Sequence, residues 1–259
     1  MFYLINPTIE VSWYFFSALL ILICTIIVGW NAFSKKNKSA LYLFISFLSF
    51  CFFHFFTGLS FLFLSFEIYR LTHFLGLSGM FFFLIFINRS SSDTISPIII
   101  GFMCSLTSLV CIFIFQPDSI IIFSGFGYAS LKTSGILSFI GNFTLMFYAL
   151  SGNYWSLRII FKGPKSVIKP ALILFIGTFS IITGYLGWSI QYYLGMPIGI
   201  IFVGAGFFII AIVILKEPKI LYVLPFTAYR LVVIHGKSGV SLFNYKWSED
   251  RMDNEIFSG

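Results

Sequence analysis

The stretch IEVSWYFFSALLILICTIIVGWNAF, residues 9–33, decides the fold. Its one charged residue, Glu10, lies in the first turn. At a rise of about 1.5 Å per residue the stretch exceeds the roughly 20 apolar residues that a helix needs to cross a bilayer. Six stretches of the same kind follow, at residues 39–65, 68–88, 95–116, 134–160, 168–193 and 195–215. The sequence therefore predicts an all-α polytopic membrane protein, with a seven-transmembrane helix bundle over residues 1–215 and a tail over 216–259. Composition agrees: 59% hydrophobic residues, 10% charged and 36 Phe in 259 leave too little polar surface to clothe a soluble globule.

Charge sets the predicted orientation. Lys35, Lys36, Lys38, Arg89, Arg158, Lys162, Lys165, Lys169, Lys216, Lys219, Arg230, Lys237, Lys246 and Arg251 all fall at one set of alternate connections. Of sixteen Lys and Arg, only Arg70 and Lys132 fall on the other. Because basic loops stay in the cytoplasm, the N-terminus is expected outside and the C-terminus inside a plasma membrane. The net charge of +7 is then a matter of anionic headgroups, so the bilayer and not nucleic acid is the expected partner. Residues 1–10 lack the basic region and cleavage site of a signal peptide, and the first span is expected to be retained.

Lipid gives no hydrophobic drive between helices, so contacts are sought where small residues let backbones approach. Gly177, Ser180, Gly184 and Gly187 make such a seam in the sixth span. The fifth offers Ser138, Asn142, Ala149 and Gly152, and the seventh Gly195, Gly199, Gly204 and Gly206, so spans five to seven should pack tightly. In the second span Ser46, Ser49, Thr57 and Ser60 share one face at 100° per residue and should look inward. His54 borders that face and is expected to hydrogen-bond into it. Cys24, Cys51, Cys104 and Cys111 lie within spans, in no CxxC spacing, and read as small apolar residues instead of metal or redox ligands.

Several functional classes are disfavoured. A retinal protein needs a Lys in its last span, and 195–215 has none. Asn88-Arg89-Ser90 is not the acidic-arginine-aromatic triplet of G-protein-coupled receptors. Gly76-Leu77-Ser78-Gly79 matches the GxSG of intramembrane serine proteases, yet no His follows it in spans four to seven to serve as base. His54 and His73 sit roughly 16 Å and 8 Å from the ends of their spans at about 1.5 Å per residue, too staggered to share a haem. No catalytic residue, cofactor or metal is expected.

The candidate site is at the outer end of the third span. Glu67, Arg70 and His73 recur every third residue, and Glu67 can pair with Arg70. Trp13, Tyr14, Asp118, Lys132, Trp188, Gln191 and Tyr192 belong to the same end of the bundle. Anchoring at the interface is the plain alternative; a ligand pocket formed by Glu67, Arg70, His73, Trp188 and Gln191 is the functional one. The external connection 117–133, with Ile120–Phe123 and Tyr128–Leu131 about a Gly-rich turn, reads as a hairpin capping the bundle. Past the seventh span, 228–234 and 239–245 read as a cytoplasmic β-hairpin. Two strands are marginal alone, so the hairpin packs on the bundle, pairs with another chain, or opens a larger sensory domain.

This order of features resembles the seven-helix N-terminal sensor region of histidine-kinase-type membrane receptors. Shared are the outside N-terminus, the long fourth-to-fifth connection, the basic fifth-to-sixth connection, and Leu224-Pro225-Phe226-Thr227-Ala228 leading into strands. The resemblance implies a receptor-like module that takes a small-molecule or membrane signal at its outer face and passes it to a cytoplasmic signalling protein. These 259 residues contain no phospho-acceptor helix and no Gly-rich ATP-binding segment, and His235, in the hairpin turn, is not expected to take the phospho-acceptor role. The alternatives are a small-solute transporter, for which no triple-helix repeat or broken helix is found, and a non-catalytic assembly subunit.

Overall fold

The computed structural model describes residues 9–34, 38–91, 96–125, 128–194, 198–217, 220, 230–234 and 241–246. Seven helices, each long and apolar enough to cross a membrane, form the bundle of a multi-pass membrane protein. They are α1 (Ile9–Ser34), α2 (Lys38–Phe63), α3 (Phe66–Ser91), α4 (Pro97–Ile114), α5 (Gly135–Lys162), α6 (Ile168–Leu194) and α7 (Ile198–Lys216). Each packs on its neighbours in sequence, and α7 returns to α1, so the helices close a ring in chain order.

Helix ends follow local chemistry. Pro97 opens α4, where its missing N–H is not needed. The α2–α3 turn is tighter than the sequence suggests. Leu64 takes a left-handed φ of 48°, and the Ser65 N–H donates back to the Ser60 carbonyl at 3.0 Å, the six-to-one bond that closes a helix C-terminus. Ser65 then caps α3, its Oγ accepting from the Ile68 N–H at 3.4 Å.

Close backbone approach fixes the ring. A Cβ on Gly184 would stand 2.6 Å from the Gly199 carbonyl oxygen, and one on Gly206 would stand 2.6 Å from that of Gly177. The Ser180 hydroxyl donates to the Phe202 carbonyl at 2.8 Å across the same α6–α7 seam. Between α5 and α6 the Thr178 hydroxyl donates to Asn153 Oδ1 at 3.1 Å. The α2 face of Ser46, Ser49, Thr57 and Ser60 is buried as expected, and Ser46 donates to the Gly79 carbonyl on α3 at 2.7 Å. The Cys51 thiol donates to Ala18 O on α1, and that of Cys24 to Phe207 O on α7.

Helix α4 is the loose member. It touches α3 and α5 lightly, Ile98 and Ile112 face outward, and a Cβ on Gly101 would meet nothing within 4 Å. After it come β1 (Ile120–Gly125) and β2 (Tyr128–Thr133), antiparallel with Ile120 opposite Thr133 and Ile122 opposite Leu131. Ile120 and Leu131 are buried among Val11, Tyr14, Phe61, Val110 and Ile200, so the hairpin closes one end of the ring.

The chain divides after Leu224 into two compact units. The division lies beyond the end of α7 because a last turn, Ile220 N–H to Glu217 carbonyl at 3.1 Å, buries Ile220 in the bundle core. The second unit contains β3 (Arg230–Ile234) and β4 (Ser241–Lys246), antiparallel, with an irregularity between Val233 and Ile234.

Candidate functional site

A cavity of about 270 Å³ lies under β2, between α2, α3, α5 and α6, with Val110 of α4 in its wall. Lys132 and Thr133 of β2 stand at its mouth. Below them Tyr69, Thr72 and His73 of α3 face Ser138 and Asn142 of α5, and Thr57 adds a hydroxyl from α2. The deeper wall is apolar, with Phe50, Leu77, Met80 and Leu145, and Tyr185 of α6 closes the side.

His73 Nδ1 lies 3.0 Å from the Tyr69 carbonyl, four residues back along α3. A carbonyl oxygen only accepts, so the contact is made through a proton on Nδ1. The Tyr69 ring meets the imidazole edge-on, centroids 4.9 Å apart, and holds its orientation. Among the described residues lining the cavity Lys132 is the one cation, and there is no carboxylate.

The predicted cluster is therefore divided. His73 lines the cavity, whereas Glu67 and Arg70 pair with each other at 2.6 Å on the bundle's rim and do not line it. The Arg70 guanidinium sits over the Phe115 ring, 5.6 Å from its centroid, and ties α3 to the chain just past α4. Trp188 and Gln191 belong to the last turns of α6, and their side chains lie outside the described residues, as does Tyr192's. Tyr14 is fully buried against Phe61 and His54. Asp118 adopts φ 58° in the turn before β1, its carbonyl accepting from the Ser134 hydroxyl.

Asn142 and Ser138 are the chief surprise, since small polar residues on α5 read as packing groups and instead line the space. Their spacing alone cannot distinguish a seam from a cavity wall. Conversely, Gly76 and Gly79 of the GxSG stretch are explained by close packing. A Cβ on either would lie 3.2 and 3.1 Å from the rings of Phe53 and Phe50, respectively.

His54 corrects an expectation. It is 1% exposed, and neither ring nitrogen has a hydrogen-bond partner among the described residues. The hydroxyls it is expected to meet turn back on their own helix, Thr57 to the Phe53 carbonyl at 2.6 Å and Ser60 to that of Thr57 at 2.7 Å. Such local bonds need no alignment between helices and win over the imidazole. The ring is held by Tyr14 and Phe53 instead.

Among the described residues no group of three His, Cys, Asp or Glu could hold a metal ion. Fold and site together define a seven-helix multi-pass membrane protein with a polar-mouthed cavity at its β1–β2 end. No family model, curated protein or solved structure matches the chain.

Proposed function

We propose that the protein is a receptor-like sensor module of the plasma membrane, in which occupancy of the β1–β2 cavity is passed to cytoplasmic signalling proteins through the tail. The positive-inside rule supports the orientation: fourteen of sixteen Lys and Arg lie at the other end or in the tail, which puts the cavity mouth outside. The observation that carries the reading is a cavity with polar side chains toward β2 and an apolar interior that narrows inward. Inward of it the space narrows to about 40 Å³, where Phe47 packs edge-on to Phe207 with centroids 5.0 Å apart. A pocket that narrows in this way suits binding; a solute path would have to widen it past these rings. Tyr185 offers a route inward, because it lines the cavity and packs against the core that α7 shares. The module works by binding, with no catalytic residue assigned.

A surrogate ligand tests this. Asn142→Cys in the full chain, modified by a small methanethiosulfonate, fills the cavity covalently, and hydrogen exchange across residues 230–246 reports the tail. Sensing predicts a change in exchange on modification, with none in wild type treated identically. An unaltered tail would favour transport or a structural role.

A further inference from the structure

The cavity is graded along its length, and the gradient specifies a ligand class; the inference rests on the sensor reading for its site. Lys132 places a positive charge at the mouth. An ammonium has three donors, so it can hold a ligand carboxylate and keep a contact within the protein as well. The carboxylate of Glu67, on the rim, is held by Arg70 at 2.6 Å. In the middle, His73 presents an imidazole and Asn142 an amide. The floor is hydrocarbon and aromatic, and a narrower space continues from it. This second pocket, of about 40 Å³, shares Phe50, Met80 and Tyr185 with the first and runs inward between α2, α3, α5, α6 and α7. From Tyr69 to Met80 along α3 the depth is about 16 Å at roughly 1.5 Å per residue.

From this arrangement we infer that the site takes an anionic amphiphile, a medium-chain monocarboxylate whose carboxylate meets Lys132 and whose hydrocarbon chain runs down past His73 onto Phe50 and Met80. A cationic ligand is disfavoured at the mouth, and a fully polar solute leaves the floor unfilled. The volume falls near the lower end of the roughly 300–1,000 Å³ of small-molecule pockets, too little for a two-chain phospholipid. The Lys132 charge is exposed and screened, so it sets specificity while the buried chain supplies affinity.

Thermal shift on the full-length protein in zwitterionic nanodiscs tests the class, with decanoate, decanol and acetate as probes. Wild type should be stabilised saturably by decanoate, more weakly by decanol and not by acetate. Lys132→Glu should weaken decanoate by about tenfold or more and leave decanol unchanged, whereas Lys132→Arg should retain decanoate binding. Met80→Trp, which blocks the floor, should abolish both. Equal stabilisation by decanoate and decanol, decanoate binding indifferent to Lys132→Glu, or acetate matching decanoate would overturn the inference. The two readings fail separately. Decanoate that binds as described yet leaves exchange at 230–246 unaltered sinks the sensor and keeps the ligand class. Modification of the Asn142→Cys variant that alters the tail, while decanoate fails to bind, does the reverse.

Discussion

Leu64 and His54 each sit in a locally costly setting, and each yields a prediction. Leu64 holds a left-handed conformation that costs a branched residue about 1–2 kcal/mol, at a position where glycine is the usual choice. Leu64→Gly should raise stability slightly, by about 0.5–1 kcal/mol once the added flexibility of the unfolded chain is subtracted; a clear loss on melting would mean that the half-buried leucine side chain matters more than its backbone. His54 is buried with two nitrogens unpartnered among the described residues. An unsatisfied buried polar group costs about 1–3 kcal/mol, and an apolar ring of similar shape removes that cost. His54→Phe should therefore melt at or above wild type in detergent, and His54→Ala below it because a cavity opens beside Tyr14. A marked fall for His54→Phe would show that the imidazole has a bond partner after all. Neither feature is legible in the sequence. Leucine gives no signal for a helix end, and a histidine beside a hydroxyl face looks satisfiable until the hydroxyls are seen to bond their own helix.

At the level of elements, the helices themselves can be read within about three residues, because a bilayer fixes their length and leaves the backbone no other way to satisfy its polar groups. The α6–α7 seam is legible too, since only small residues permit such approach. Gly184→Ala and Gly206→Ala should each destabilise the bundle by about 1–3 kcal/mol, as a methyl group there meets backbone and cannot be accommodated by a side-chain shift. Gly101→Ala, in open space, should be neutral or stabilising by up to about 1 kcal/mol through helix propensity. Equal melting for all three would mean that the seam is not a close contact. The Arg70–Phe115 contact is hidden in the sequence because its partners come from α3 and from the end of α4, far apart along the chain. The obvious i,i+3 pairing with Glu67 is only half of what the guanidinium does.

For the whole molecule, a ring of helices in chain order places its loosest member, α4, between α3 and α5, and Val110 of that helix shares in lining the cavity. No sequence pattern announces space formed where several elements fail to meet. His73 and Lys132 are both legible as residues of the outer end and line the cavity; Asn142 reads as a packing residue and is not one. Orientation rests on the charge split, and cysteines at positions 36 and 165 should label only after the cytoplasmic face is exposed, while one at 118 should label in intact cells. The most direct test of the central claim joins orientation and cavity in one position. Asn142→Cys in intact cells, treated with a small membrane-impermeant methanethiosulfonate, should be modified from outside well above the wild-type background, and Lys132→Trp at the mouth should slow that reaction. Labelling of the Asn142→Cys variant only after permeabilisation, or not at all, would contradict an outward-opening cavity and the sensor built on it.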